Sequence, residues 1–142
     1  MHPSLMINSI KMKIDKDYVE NKAKDINEND IKKLEKKKSK LRKILNLAAF
    51  SNQKEKAKLL LELVLEYKKG NYKTIPWRSI AAITFTLLYI INPLDIVPDI
   101  LPFVGFVDDI SVFLALSKLV EKDLELYTEW KSTRVGDFSD LP

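Results

Sequence analysis

Residues 90–111 read IINPLDIVPDILPFVGFVDDIS. Three of the chain's six prolines, one of its three glycines and four aspartates fall in this stretch, and no positive charge does. Apolar sequence leads into it. Residues 79–91, SIAAITFTLLYII, are uncharged, and from Ser79 to Val107 the only charged residues are Asp95 and Asp99. Prolines spaced this closely forbid one straight helix, because each lacks an N–H and clashes with the preceding turn. The pattern predicts a helix, a corner and a returning helix: a central apolar helical hairpin broken by a Pro/Asp-rich corner. Thirteen uncharged residues rise only about 20 Å against the roughly 30 Å of a hydrocarbon core, so the first arm is too short to span a membrane alone.

The four aspartates admit two readings. In the first they are caps. Asn92-Pro93-Leu94-Asp95 reads as an N-cap, a proline at the first helical position and a carboxylate in the first turn, and Pro98-Asp99 repeats this on a smaller scale. Asp108 suits an N-cap for the returning helix, with Asp109 in its first turn, where the helix dipole stabilises a negative charge by about 0.3–1 kcal/mol. In the second reading Asp95, Asp99, Asp108 and Asp109 converge. Asp95 and Asp99 share a helical face, and Gly105 lets the chain reverse and bring the second pair back against them. Crowded carboxylates in an apolar setting need a neutralising cation, and a hard ion with oxygen ligands, magnesium or calcium, fits that need. The spacing matches no established ligand code: the EF-hand order is absent, and Val112 stands where a DDxxD pattern requires aspartate.

Outward from the corner, residues 108–130 are expected to form the last helix. Ile110, Phe113, Leu114, Ser117, Val120 and Leu124 lie along one side, and its second half is charged and wet. Residues 132–142 read as a disordered tail. On the N-terminal side, Thr74-Ile75-Pro76 opens the first arm. Trp77 and Arg78 at its mouth have the character of interfacial anchors, although Trp77 also suits a soluble core. Before that, Asn52 and Glu55 suggest a capping box for a helix ending at Lys69, with Gly70 in the left-handed cap position. Ala57, Leu60, Leu61, Val64 and Leu65 give this helix a wide core face.

Residues 31–48 are unlike the rest. Ile31, Leu34, Leu41, Leu45 and Ala48 form a helical stripe. Lys32, Lys33, Lys36, Lys37, Lys38, Lys40, Arg42 and Lys43 cover the remainder, with Glu35 as the one acid among them. Such a run is either a solvated helix face or a basic helix lying on anionic lipid, where each cation contributes about 1 kcal/mol. Nucleic-acid binding has no support, because no aromatic residues interleave with the lysines for stacking. Residues 1–30 form a polar, partly disordered arm with at most a weak helix near 10–25.

Composition limits the chemistry. At 142 residues the chain is one domain with enough length for a core. No cysteine is present, which excludes disulfides, thiol catalysis and cysteine-ligated zinc. The single histidine, His2, sits beside the first methionine, a poor place for a catalytic base. The first thirty residues lack the features of a signal peptide, so a cytoplasmic start is expected. The net charge of +4 is unevenly spread: residues 1–74 hold 19 Lys+Arg and 10 Asp+Glu, whereas residues 75–142 hold 5 and 10. A basic arm followed by an apolar hairpin suggests attachment to an anionic surface.

The stretch resembles the signature of the YkvA-like family of small bacterial domains of unknown function. The matching residues are Asn92, Pro93, Asp95, Ile96, Val97, Pro98, Asp99, Pro102, Gly105, Asp108 and Asp109, and Trp77 matches the tryptophan that commonly starts the preceding helix. Asn92 replaces the more usual serine and keeps the capping chemistry. The resemblance covers about residues 55–125. It implies a membrane-associated domain with short apolar helices and brings no established enzyme activity.

The sequence thus predicts an all-α small helical bundle over about 31–131 that associates with the cytoplasmic face of a membrane as an anchoring or interaction module. Lys32, Lys33, Lys36, Lys37, Lys40, Trp77 and Arg78 are the expected lipid-surface residues. A protein partner is a further expectation. Two alternatives remain at this stage: a divalent-cation protein or metal-dependent enzyme built on the aspartates, and a soluble bundle in which 79–120 is simply the core.

Overall fold

The computed structural model describes residues 3–92 and 109–139. Among these the regular structure is all helical. α1 spans Pro3–Ala23, α2 Glu28–Lys36 and α3 Lys38–Leu45, and a 3-10 turn at Ala48–Phe50 leads into α4, Lys54–Lys69. α5 spans Trp77–Ile91, α6 Asp109–Leu119 and α7 Glu121–Ser139. The protein is a small all-α bundle, as the sequence predicts.

α5 is its axis. Every residue from Ser79 to Ile91 is buried, and α1, α2, α3, α4 and α6 all pack against this helix. A helix that is apolar all round needs a water-free environment on every side. Here other helices supply it. Each fully buried Ile, Leu or Phe of α5 contributes about 1.5–3 kcal/mol, which makes this helix the main source of cohesion. α6 returns along α5. At the start of α5 the Ser79 hydroxyl donates to Asp123 Oδ2 at 2.6 Å, just beyond the end of α6, so the two arms run antiparallel. The hairpin is therefore present, while its corner, residues 93–108, lies outside the described residues.

The expected last helix is two helices meeting at Val120. The hydrogen bonding runs through the junction, from Val120 N–H to Leu116 O at 3.0 Å and from Leu124 N–H to Val120 O at 2.9 Å. The buried set also differs from the expected stripe. Val112, Phe113, Ala115, Leu116 and Val120 face the core, whereas Leu114 is 41% exposed. The helix is rotated relative to the sequence reading because two helices, α1 and α5, pack against it, and together they cover a broader arc than a single stripe. α7 is then held to α4. Tyr127 is buried and donates its hydroxyl to Glu62 Oε2 at 2.6 Å, and Lys131 Nζ donates to Glu62 Oε1 at 3.0 Å. Tyr72 meets the rings of Tyr127 and Trp130 at 5.1 and 5.0 Å, and Arg134 lies 4.7 Å over Trp130. α7 continues through Ser139, across residues that the sequence assigns to the tail.

The N-terminal segment contributes α1, which packs on both arms of the hairpin. Its inward positions are Asp15, Val19 and Ala23, all buried, spaced four apart on one face. The Tyr18 ring meets Phe85 edge-on at 5.8 Å and Tyr89 at 6.3 Å. A narrow stripe is enough because the surface it covers is already apolar.

The single basic helix expected over 31–48 is instead α2 and α3, with the break at Lys37 (φ −100°, ψ 9°). The Lys37 N–H is shared between the Lys33 and Leu34 carbonyls at 3.1 Å each. In an unbroken helix Lys38 would fall in the stripe of Ile31, Leu34, Leu41 and Leu45, four residues after Leu34. The break buries all four apolar residues and leaves Lys38 half-buried at their margin.

The capping box also differs in place. α4 begins at Lys54 with Gln53 as N-cap and no side-chain capping bond, so Asn52 and Glu55 do not form one. The 3-10 turn, pinned by buried Phe50, carries the chain past Asn52 before the helix starts: the Gln53 N–H donates to Phe50 O at 3.0 Å. A capping box does form at α2, where the Asn27 N–H donates to Asp30 Oδ2 at 2.9 Å and the Asn29 N–H donates to Asn27 Oδ1 at 2.8 Å. At the other end of α4, Gly70 adopts φ 82° as expected, and the Asn71 N–H closes onto Glu66 O at 3.0 Å.

Candidate functional site

The lysines of α2 and α3 face outward because the apolar residues of the same helices face α4 and α5. Lys32, Lys36 and Lys40 are exposed, at spacings of four, and Lys33 and Lys37 are half-buried beside them. Arg42 and Lys43 continue the exposed positive surface along α3. The acid within this run is engaged elsewhere: Glu35 pairs with Lys68 of α4. The hydrogen bond from Lys68 holds the Glu35 carboxyl below the usual glutamate range, and the charges of Lys68, Lys38 and Lys69 add to the effect. The one acid within the run is thus paired with α4, and the exposed positions of the α2–α3 face are rich in cations.

Trp77 and Arg78 lie elsewhere. They open α5, where Trp77 is 38% exposed and its ring meets Tyr67 at 6.4 Å. Both residues line a cleft of about 630 Å³ between the C-terminal end of α1, the start of α5 and the α6–α7 junction, and none of the α2–α3 lysines lines it. The expected lipid-surface set thus divides into a basic helix face and an aromatic-cationic cleft mouth. Glu20, Lys24, Ser79 and Asp123 share the cleft. Sequence reading missed these four, since they come from three separate stretches of the chain and no linear spacing links them.

Three of the four aspartates, Asp95, Asp99 and Asp108, lie outside the described residues, and Asp109 is the first residue of α6. Among the described residues, no group of three or more metal-ligating side chains comes together. Nor is any described helix long and apolar enough to cross a membrane.

Comparison with known proteins places the hairpin. Residues 79–115 match the family described as protein of unknown function (DUF1232). Over 70 residues the chain is 31% identical to the uncharacterized membrane protein YkvA of Bacillus subtilis (strain 168), an alignment covering 49% of this chain and 66% of that protein. No solved structure matches the chain. The matched region contains the buried stretch of α5 and the first residues of α6. This chain carries a YkvA-like DUF1232 domain.

Proposed function

We propose that this protein associates peripherally with the cytoplasmic, anionic face of a membrane, meeting it through the α2–α3 lysines. In this reading α5 is the core of the bundle and not an inserted anchor, and the bound domain serves as an interaction module. The observation that carries the proposal is the outward display of Lys32, Lys36 and Lys40 on helices that bury Ile31, Leu34, Leu41 and Leu45 in the interior. The relative's description as a membrane protein supports it. Burial of α5 on all sides favours attachment at the surface, because exposing that helix to lipid would require stripping α1 to α4 from it.

Sedimentation with vesicles tests the proposal. Binding is expected to vesicles containing anionic phosphatidylglycerol, to be weak on pure phosphatidylcholine, and to fall as salt shortens the screening length from about 30 Å at 0.01 M to about 8 Å at 0.15 M. Equal binding to neutral and anionic vesicles would remove the electrostatic reading.

A further inference from the structure

The turn that follows α3 is unlike other surface turns, which ordinarily carry glycine or polar residues. Leu47, Ala48 and Ala49 are all exposed here, and Leu47, at 58%, is the most exposed large apolar side chain among the described residues. A lone surface leucine needs no explanation; this one is held out on a closed turn. The Leu47 N–H donates to Ile44 O and the Phe50 N–H donates to Leu47 O, each at 3.0 Å, and the Ser51 N–H donates to Ala48 O at 3.1 Å. Phe50 is buried and pins the far side of the turn to the core.

The charge around this tip has one sign. Residues 36–58 hold nine Lys+Arg and a single acid, Glu55. α3 contains no acid, and neither does α5, on which it packs. Further along α4, Glu62 pairs with Lys131, and Glu66 with Lys69 and Arg134. Among the described residues, Lys40, Arg42 and Lys43 enter no ion pair. Lys40, Lys43 and Leu47 follow one another at spacings of three and four. Asn46 keeps a right-handed helical backbone past the end of α3 (φ −79°, ψ −9°), so the three lie along one side. An apolar tip beside unpaired cations has the chemistry of an interfacial element, whose apolar part sits about 5–10 Å into the headgroup boundary while long basic side chains reach the headgroups.

We propose that Leu47, flanked by Ala48 and Ala49, inserts into the interfacial layer of an anionic bilayer as the α2–α3 lysines dock on its surface. The inference rests on the peripheral attachment proposed above and adds an apolar component to it. The lysines draw the protein to the leaflet, and Leu47 fixes which end of the basic face enters it.

The full chain has no cysteine, so Leu47→Cys accepts one environment-sensitive fluorophore. On mixed phosphatidylglycerol–phosphatidylcholine vesicles its emission is expected to shift to the blue, and lipids carrying a quencher near the headgroup are expected to quench it. Separately, unlabelled Leu47→Ala is expected to partition about tenfold more weakly, a factor that corresponds to about 1.4 kcal/mol and suits partial burial of a leucine. That factor is expected to persist from 0.01 to 0.15 M salt, whereas the loss caused by Lys32→Gln/Lys36→Gln/Lys40→Gln shrinks as the charges are screened. Circular dichroism checks that each variant keeps its helices, and the fluorophore reports insertion without relying on an affinity difference. Salt-sensitive binding with an unshifted fluorophore and an unchanged Leu47→Ala affinity would overturn the insertion and leave the electrostatic attachment standing. No binding to the anionic vesicles would overturn both. A blue shift that grows with protein concentration in the absence of vesicles would assign the tip to a second copy of the chain instead.

Discussion

Replacing Lys32, Lys36 and Lys40 together with glutamine perturbs membrane attachment with little effect on the bundle. All three side chains are exposed, and no ion pair among the described residues involves them. Glutamine matches lysine closely in helix propensity, so the folding cost is small. Lys36 lies in the last turn of α2, where losing its charge costs a few tenths of a kcal/mol, about the low end of a dipole interaction. Each lysine near an anionic leaflet contributes about 1 kcal/mol, so the triple variant forfeits about 3 kcal/mol, or roughly two orders of magnitude in partition coefficient. Sedimentation with phosphatidylglycerol vesicles at low salt measures it directly, with circular dichroism as the control for fold. A triple variant that binds as tightly as the original chain would refute the assignment of this face.

Other consequences follow from the packing. Leu63→Ala removes a fully buried α4 side chain and is expected to destabilise the bundle by about 2–5 kcal/mol in urea unfolding, the range for such cavities. Gly70→Ala places a side chain at φ 82°; the space is adequate, so the left-handed backbone sets a cost of about 1 kcal/mol, read as a lower unfolding midpoint. Burial, reinforced by the hydrogen bond to Glu62, pushes the Tyr127 hydroxyl well above the usual tyrosine range. Tyr72 shifts the same way through burial and the charge of Asp123. Because the folded values are raised, this stability is fully present below about pH 10, the unfolded value, and is lost as pH rises further; Tyr127→Phe is expected to flatten the alkaline slope of the unfolding midpoint. Glu35 has the opposite sign: its lowered value means that its contribution is present above about pH 4.3 and is lost as pH falls through the folded value, a change that Glu35→Gln should abolish in acid titrations.

Legible in the sequence alone were the all-α class, the helix beginning at Trp77 with its uncharged stretch from Ser79, its antiparallel return and the Gly70 cap. These depend on local chemistry: apolar runs, proline and glycine act through neighbours a few residues away. It also singled out the α2–α3 lysines, because an excess of one charge is visible without a fold. Tertiary structure alone decided the rest. Whether residues 79–91 meet lipid or protein depends on what covers them, and α1, which looks too polar to dock, packs against that helix with Asp15, Val19 and Ala23 buried. The same packing rotated α6 away from its expected stripe and broke the basic helix at Lys37, since both must fit surfaces that lie far off in sequence. Trp77 and Arg78, which read as partners of the lysines, were separated from them and joined to Lys24, Ser79 and Asp123. No spacing rule links residues 24, 79 and 123, so only the meeting of three helix ends could create that cleft.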